Sequence, residues 1–544
     1  MLYCFYMPNT IESTLSPFVQ EFIDKYQEYI APKPSTETVA KIHVDEAISR
    51  LTVLYEKIRK VVDWHEEHLM RRVAVKRILN RRIFLGGRGG EAEPFIFELI
   101  KGGHFPNDQI DKNKIRDIQK TINKYSFILK RCVLLPRGSR SIFRDQTIEI
   151  AACEVEEKLD PLLYFKMNVL IELMEKMMRG SIRFTGLAKE RLLVSGETKN
   201  TLIYIAAQQA LFHLDEPNIL YNLIKKRYPD WLEMDNNALP MLVKTFNPVL
   251  GSLRRTIRHP LYNKIYEIAE QADSPFLILG DIVFDNDPVL KEILLSEERL
   301  IGLMRKKYYN RLSKLKGRTT RAAIFSTVSI FLSNILVLYL IEIPVAKYII
   351  GKFNPLIQLL DIFVPTMLMF FLTTTIRLPG DNNFKAMIQR VKNIIYNNLS
   401  IDQEVDIGPT RSGLIKFLTR TLYFIGFILC FGIMSWFLYK FQFPPFSWLI
   451  FYTFNSLIAF AGLKIRKRAK ELNILKEKER FITIILDIFA LPVIRVGKWL
   501  SGRWRKFNII GIIFNLLIEV PFLSLVDFLE EWRRFVKEKK GDIY

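Results

Sequence analysis

The sequence predicts an all-α chain: a polytopic α-helical membrane protein with a large helical domain on the cytoplasmic side. Three observations lead there. Apolar stretches of membrane-spanning length begin only near residue 322. Lysines and arginines are dense in alternate loops between those stretches. Residues 1–315 read as helix after helix, with thin strand signals, the best being FLILGDIVF at 276–284.

Four stretches qualify as spans, at about 322–346, 355–376, 422–439 and 445–463. Each is near the ~20 residues needed to cross ~30 Å of hydrocarbon. Arg311, Lys314, Lys316, Arg318 and Arg321 precede the first. The loop after the second holds Arg377, Lys385, Arg390, Lys392, Arg411, Lys416 and Arg420, and KIRKRAKELNILKEKER follows the fourth. The two remaining loops are short and carry only Lys347, Lys352 and Lys440. Because cytoplasmic loops collect lysine and arginine, both termini are expected in the cytoplasm, in a plasma or bacterial inner membrane. The first residues lack a basic region leading into an apolar one, so no cleaved signal peptide is expected.

Ahead of the spans, residues 1–85 are read as N-terminal helices with a long coiled-coil-like arm. From Ser35 or Thr36 the chain reaches Leu85 without Pro or Gly, and Leu51, Tyr55, Ile58, Val62, His65 and Leu69 recur with the 4-3-4 spacing of a packed seam. The Gly-rich joint GGRGGEAEP at 86–94 leads into a helical domain over 95–315, the membrane part covers 316–465, and 466–544 form a basic linker with interfacial or re-entrant helices. In that tail, residues 508–528 are interrupted by Glu519, Pro521 and Asp527, and either way of crossing would break the charge alternation. Lipid-interface contacts are therefore assigned to Arg495, Lys498, Trp499, Arg503, Trp504, Arg505 and Lys506.

Chemistry is sparse. The formal charge of +22 implies an anionic partner. Anionic lipid and membrane come first, then a protein partner or a second copy; nucleic acid is not expected, because no reading helix, zinc finger or aromatic sheet motif accompanies the charge. Cys4, Cys132, Cys153 and Cys430 stand too far apart for a zinc motif or a disulfide framework. His65 and His68, in DWHEEH, could face one ion, but the spacing matches no metalloenzyme motif and His65 falls on the apolar seam. Asp285 and Asp287, in FDND, have the spacing of an acidic divalent-ion pair, while Asp287-Pro288 is also a ready helix start. Arg71, Arg72, Lys76 and Arg77 close the long arm as candidates for an anionic partner, with a solvated helix face as the plainer reading. No phosphate-binding glycine loop and no nucleophile elbow is present, and no cofactor is expected.

Two acids sit within the apolar half. Glu342, in LIEIP, ends the first span, and Asp361, in LLDIFVP, lies in the outer part of the second. A short loop joins these spans, so both carboxyls fall at similar depth, which makes them a proton or cation site by default. The plainer expectation puts Glu342 at headgroup level and pairs Asp361 with Lys347 or Lys352. Ser326, Ser329, Ser333, Asn334, Asn455 and Ser456 are expected to hydrogen-bond between helices. Three functional classes follow. The leading expectation is a non-enzymatic membrane scaffold or assembly protein. A transporter or channel subunit using Glu342 and Asp361 is the first alternative, and a membrane enzyme acting on lipid or lipid-linked sugar the second.

Overall fold

The computed structural model describes residues 15–31, 40–43, 67–81, 91–131, 137–185, 196–234, 238–285, 289–350, 355–374, 376, 378–396, 403–406, 413–475, 490–502 and a few positions between 524 and 536. The chain is predominantly helical, and its two strands among the described residues, Ile182–Thr185 and Gln403–Asp406, pair with each other in parallel. The seam from Leu51 to His65 and the tail acid Glu519 lie outside the described residues. So do Asp287, Arg503, Trp504, Arg505 and Lys506.

Local chemistry sets the helix boundaries. Asp160 accepts a hydrogen bond from the Leu163 amide at 3.2 Å and Pro161 occupies the first turn, starting the helix Pro161–Ser181. Asp215 does the same for Glu216–Arg227, with Pro217 inside the first turn. The apolar run at 276–284 is not a strand but the second half of a helix, Tyr262–Val283. Every residue from Phe276 to Leu279 is buried there, and a helix enclosed on all sides shows the same unbroken apolar run as a buried strand.

The helices before residue 316 pack around two cores. One gathers Pro17–Ile30, Pro161–Ser181, Gly196–Phe212, Tyr262–Val283 and the start of the long helix Glu297–Val337. The other gathers Glu67–Leu79, Ala92–Lys101, Asn113–Arg131, Arg137–Leu159, Glu216–Arg227 and Leu239–Ile257 around Trp231. The described parts of 1–85 are thus built into both cores. The first core also takes in Phe384, Met387, Val391, Ile394 and Ile395 from Asp381–Ile395, a helix lying between the second and third apolar helices.

Among the described residues, four helices are long and apolar enough to cross a membrane: the far end of Glu297–Glu342, Pro355–Thr374, Phe417–Lys440 and Pro445–Ala469. They are called spans one to four below. Span one is the direct continuation of a domain helix, since Glu297–Val337 runs 41 residues, about 60 Å, without interruption. Spans one, two and four pack on one another, and a β-carbon at Gly462 of span four would meet Leu372 of span two at 2.9 Å, so a small residue sets that approach. Span three joins span four near Tyr452, whose hydroxyl lies 2.7 Å from Ser435 Oγ, and otherwise presents Phe417, Leu422, Phe424, Ile428 and Ile433 outward.

A further helix at 490–502 lies against spans three and four. The Arg495 guanidinium sits 4.9 Å from the centre of the Tyr423 ring, and Gly497 abuts the Ser456 backbone, about 16 Å along span four from Pro445. A β-carbon at Gly497 would collide with the Ser456 carbonyl. Gly497→Leu is therefore expected to lift this helix off its seat, raising trypsin cleavage after Arg495 and Lys498 at least about tenfold while cleavage elsewhere is unchanged. Equal cleavage in both proteins would remove the contact from the account.

Candidate functional site

Span one does not end as a regular helix. Leu338–Glu342 is a π-helical turn, and Val345–Ile350 is another, on either side of Pro344. Proline lacks an amide hydrogen and its ring crowds the carbonyl four residues back, so the ordinary hydrogen-bond register cannot pass through it. The wider π turn accommodates the break, and such bulges are frequent at functional positions. Glu342 closes the first π turn with its side chain turned inward, 4% exposed.

Span two meets it with one face. Its buried residues are Gln358, Asp361, Pro365 and Met369, spaced as a single stripe along an otherwise apolar helix. Asp361 is about 9 Å in from Pro355, at the end of the bundle remote from the domain, and is 9% exposed. The Glu342 and Asp361 carboxyls lie within interaction range of each other. Two carboxylates have no hydrogen to share, so they hydrogen-bond to each other only when one of the pair keeps a proton. Asp361 therefore faces Glu342, and the expected partner Lys347 is exposed, its ammonium 5.8 Å from the Tyr348 ring; Lys352 lies outside the described residues.

One oxygen of each acid, Glu342 Oε1 and Asp361 Oδ1, is buried with no hydrogen-bond partner among the described residues. Asn334, about 12 Å back along span one, has neither amide atom partnered, and Ser456 Oγ of span four is likewise unsatisfied. Asn455 donates to Phe451 O of its own helix at 2.8 Å. Among the described residues, the expected bonding between helices is not seen at Asn334 or Ser456. Buried polar atoms without partners are rare in folded proteins and call for water or an ion. Chemically, the pair can hold one proton and release it, or exchange it for a small cation.

The other expected sites are placed as follows. Arg71 Nη1 donates to Asp160 Oδ2 at 3.1 Å with Glu156 at 3.6 Å, Arg72 pairs with Asp215, and Lys76 pairs with Glu149 at 2.6 Å. Those cations meet the chain's own carboxylates, because their helix packs on Arg137–Leu159 and is not a solvated face; Arg77 is half-buried on the same helix. Asp285 is ion-paired with Lys307, so the FDND string contributes no open carboxylate pair among the described residues. His65 lies outside them and the His68 side chain is not described; no group of three metal-ligating side chains is found among those that are. Lys498 and Trp499 are exposed on the 490–502 helix beside Arg495.

One cluster escaped the sequence reading. Asn383, on the helix between spans two and three, donates to Leu472 O at 2.7 Å and to Tyr308 Oη at 3.1 Å. Its side-chain oxygen accepts from the Ile474 amide at 2.8 Å. One amide side chain thus ties the segment after span four to the loop helix and the long helix. No protein-family model, curated protein or solved structure matches the chain.

Proposed function

We propose that this is an integral membrane protein in which Glu342 and Asp361 form a proton- or cation-exchange site, and that it works as a transporter or channel subunit. The observation that carries the reading is two buried carboxyls from successive apolar helices that face each other, with no basic side chain paired to either among the described residues. Ionisable groups at membrane depth are costly and mark ion or proton pathways. Four spans are few for an enclosed path, so a second copy is the expected partner. Both termini are placed in the cytoplasm, in a plasma or bacterial inner membrane. The large domain, the Asp381–Ile395 helix and residues 471–475 meet at one end of the bundle, which agrees with the alternation of basic loops. Anionic lipid headgroups are the partners proposed for Arg495, Lys498 and Trp499, with the 490–502 helix re-entering beside span four.

The test is proton and cation flux in proteoliposomes, wild type beside Glu342→Gln/Asp361→Asn. Flux in the first and background leakage in the second is the expected result. A second reading, a non-enzymatic membrane scaffold, is favoured by the fastening of loop and tail into the domain core. Flux absent from both proteins, with equal melting temperatures, would leave the scaffold standing and the acid-pair reading lost.

A further inference from the structure

Where span four returns to the domain, three side chains contact the chain in a way that only certain protonation states allow. Ser274 Oγ lies 2.7 Å from the carbonyl oxygen of Glu471 and 2.9 Å from Asp273 Oδ1. A hydroxyl has one hydrogen and a carbonyl oxygen can only accept, so both contacts are hydrogen bonds only when that hydrogen goes to Glu471. The contact with Asp273 then becomes a hydrogen bond when the Asp273 carboxyl keeps its own proton and donates it to Ser274. His213 makes the same point with two nitrogens. Its Nδ1 is 3.2 Å from Gln209 O and its Nε2 3.2 Å from Glu471 Oε1. Both oxygens accept, so the two contacts are both hydrogen bonds only when each ring nitrogen carries a hydrogen, with His213 an imidazolium facing the Glu471 carboxylate.

We propose that Asp273, Ser274, His213 and Glu471 form a two-proton clasp that fastens the end of span four to the large domain and releases it when the protons leave. The clasp is separate from the acid pair, which lies at the other end of the bundle. Asp273 is 3% exposed, and burial pushes its carboxyl up to about 8. Burial works against ionised Glu471 too, yet the hydrogen bond and charge of His213, with Arg468 and Arg318 behind it, hold it below the usual carboxylate range.

Two nearby cations are engaged elsewhere. Lys467 pairs with Glu270 at 2.9 Å, and Arg311 of the long helix donates to Asp281 at 2.9 Å. The loop helix contributes the neutral Asn383, and Pro161–Ser181 meets the clasp helix through Leu170, beside Gly280. Pro275, next in the chain after Ser274, removes an amide hydrogen from that helix and frees the Gln271 carbonyl. The sign follows from the contacts. Both protons are bound in the closed form, so closure is strongest at low pH and weakens as pH rises past the point where Asp273 ionises.

The readout is hydrogen exchange at the Ile474 and Leu475 amides, which the Asn383 side chain covers, in full-length protein in lipid nanodiscs. Exchange is expressed as protection over the intrinsic rate at each pH. Protection in wild type is expected to fall at least about tenfold between pH 7 and 9. Asp273→Asn/His213→Gln keeps a donor at each position without a titrating proton, and its protection is expected to be flat. Ser274→Ala removes both contacts of the hydroxyl and is expected to show low protection at every pH, which keeps the proposal testable should the double variant misfold. Wild-type protection that does not change with pH would overturn the clasp, as would Ser274→Ala behaving like wild type.

Discussion

Glu154→Ala is expected to cost about 3–5 kcal/mol of stability, the range seen when one partner of a buried ion pair is removed. Glu154 is completely buried, and its two oxygens are fully employed. Lys124 Nζ approaches both at 2.7 Å, Tyr125 Oη and Trp231 Nε1 donate at 2.9 Å, and Thr121 Oγ1 donates at 3.1 Å. Truncation would leave a buried ammonium with only the Trp231 carbonyl, at 2.8 Å, as its remaining close acceptor, and would orphan the Tyr125 hydroxyl and the indole N–H. Burial already pulls the Lys124 ammonium down to about 8, so without its carboxylate the charge becomes harder still to hold. Circular-dichroism melting of the detergent-solubilised protein should show a drop of roughly 10 °C. Lys291→Ala is the control. It breaks a 3.0 Å pair with Asp24 that is about half exposed, and such pairs contribute about 0–1 kcal/mol. If the two variants melted alike, the network around Glu154 would not be a stabilising centre of the second core.

The second large effect belongs to the acid pair. In Glu342→Gln/Asp361→Asn the amides can still donate and accept across the same contact, so the helix interface keeps its hydrogen bond and loses only the exchangeable proton. Flux is expected to fall to the level of empty liposomes with little change in melting temperature. That combination separates a conduction role from a packing role. A variant that melted lower and still conducted would make Glu342 and Asp361 structural. Asp361→Asn alone should also abolish the pH dependence of flux, since the single remaining carboxyl would have a permanent donor opposite it.

The sequence made much of the architecture legible for particular reasons. The spans were readable because membrane length and composition leave few alternatives, and their limits fell close to Pro355–Thr374 and Pro445–Ala469. The short loop between their helices offered Glu342 and Asp361 as neighbours in the sequence, beside the plainer pairing of Asp361 with Lys347 or Lys352. The cations at Arg71, Arg72 and Lys76 were harder: a basic run looks the same whether it faces solvent or carboxylates that lie 70 to 145 residues further along the chain. The run at 276–284 misled because periodicity does not distinguish a fully enclosed helix from a buried strand. The clasp could not be read at all, since Ser274 and Glu471 are 197 positions apart and Asn383 and Leu472 are 89 apart.

The inclusion of the Asp381–Ile395 helix in the first core bears on how the protein is made. Phe384, Met387 and Val391 fill the same core as Met174, Ile205 and Ile278, and the Ser16 amide donates to Ile395 O at 2.7 Å. These partners are separated by almost the whole ribosomal transit of two proposed spans. Synthesis thus reaches the last pieces of this core only after spans one and two have emerged and, in the proposed arrangement, entered the bilayer. Until then the growing chain holds an open apolar face, a natural client for a chaperone, and in the proposed arrangement membrane insertion becomes a step in folding the domain that precedes it.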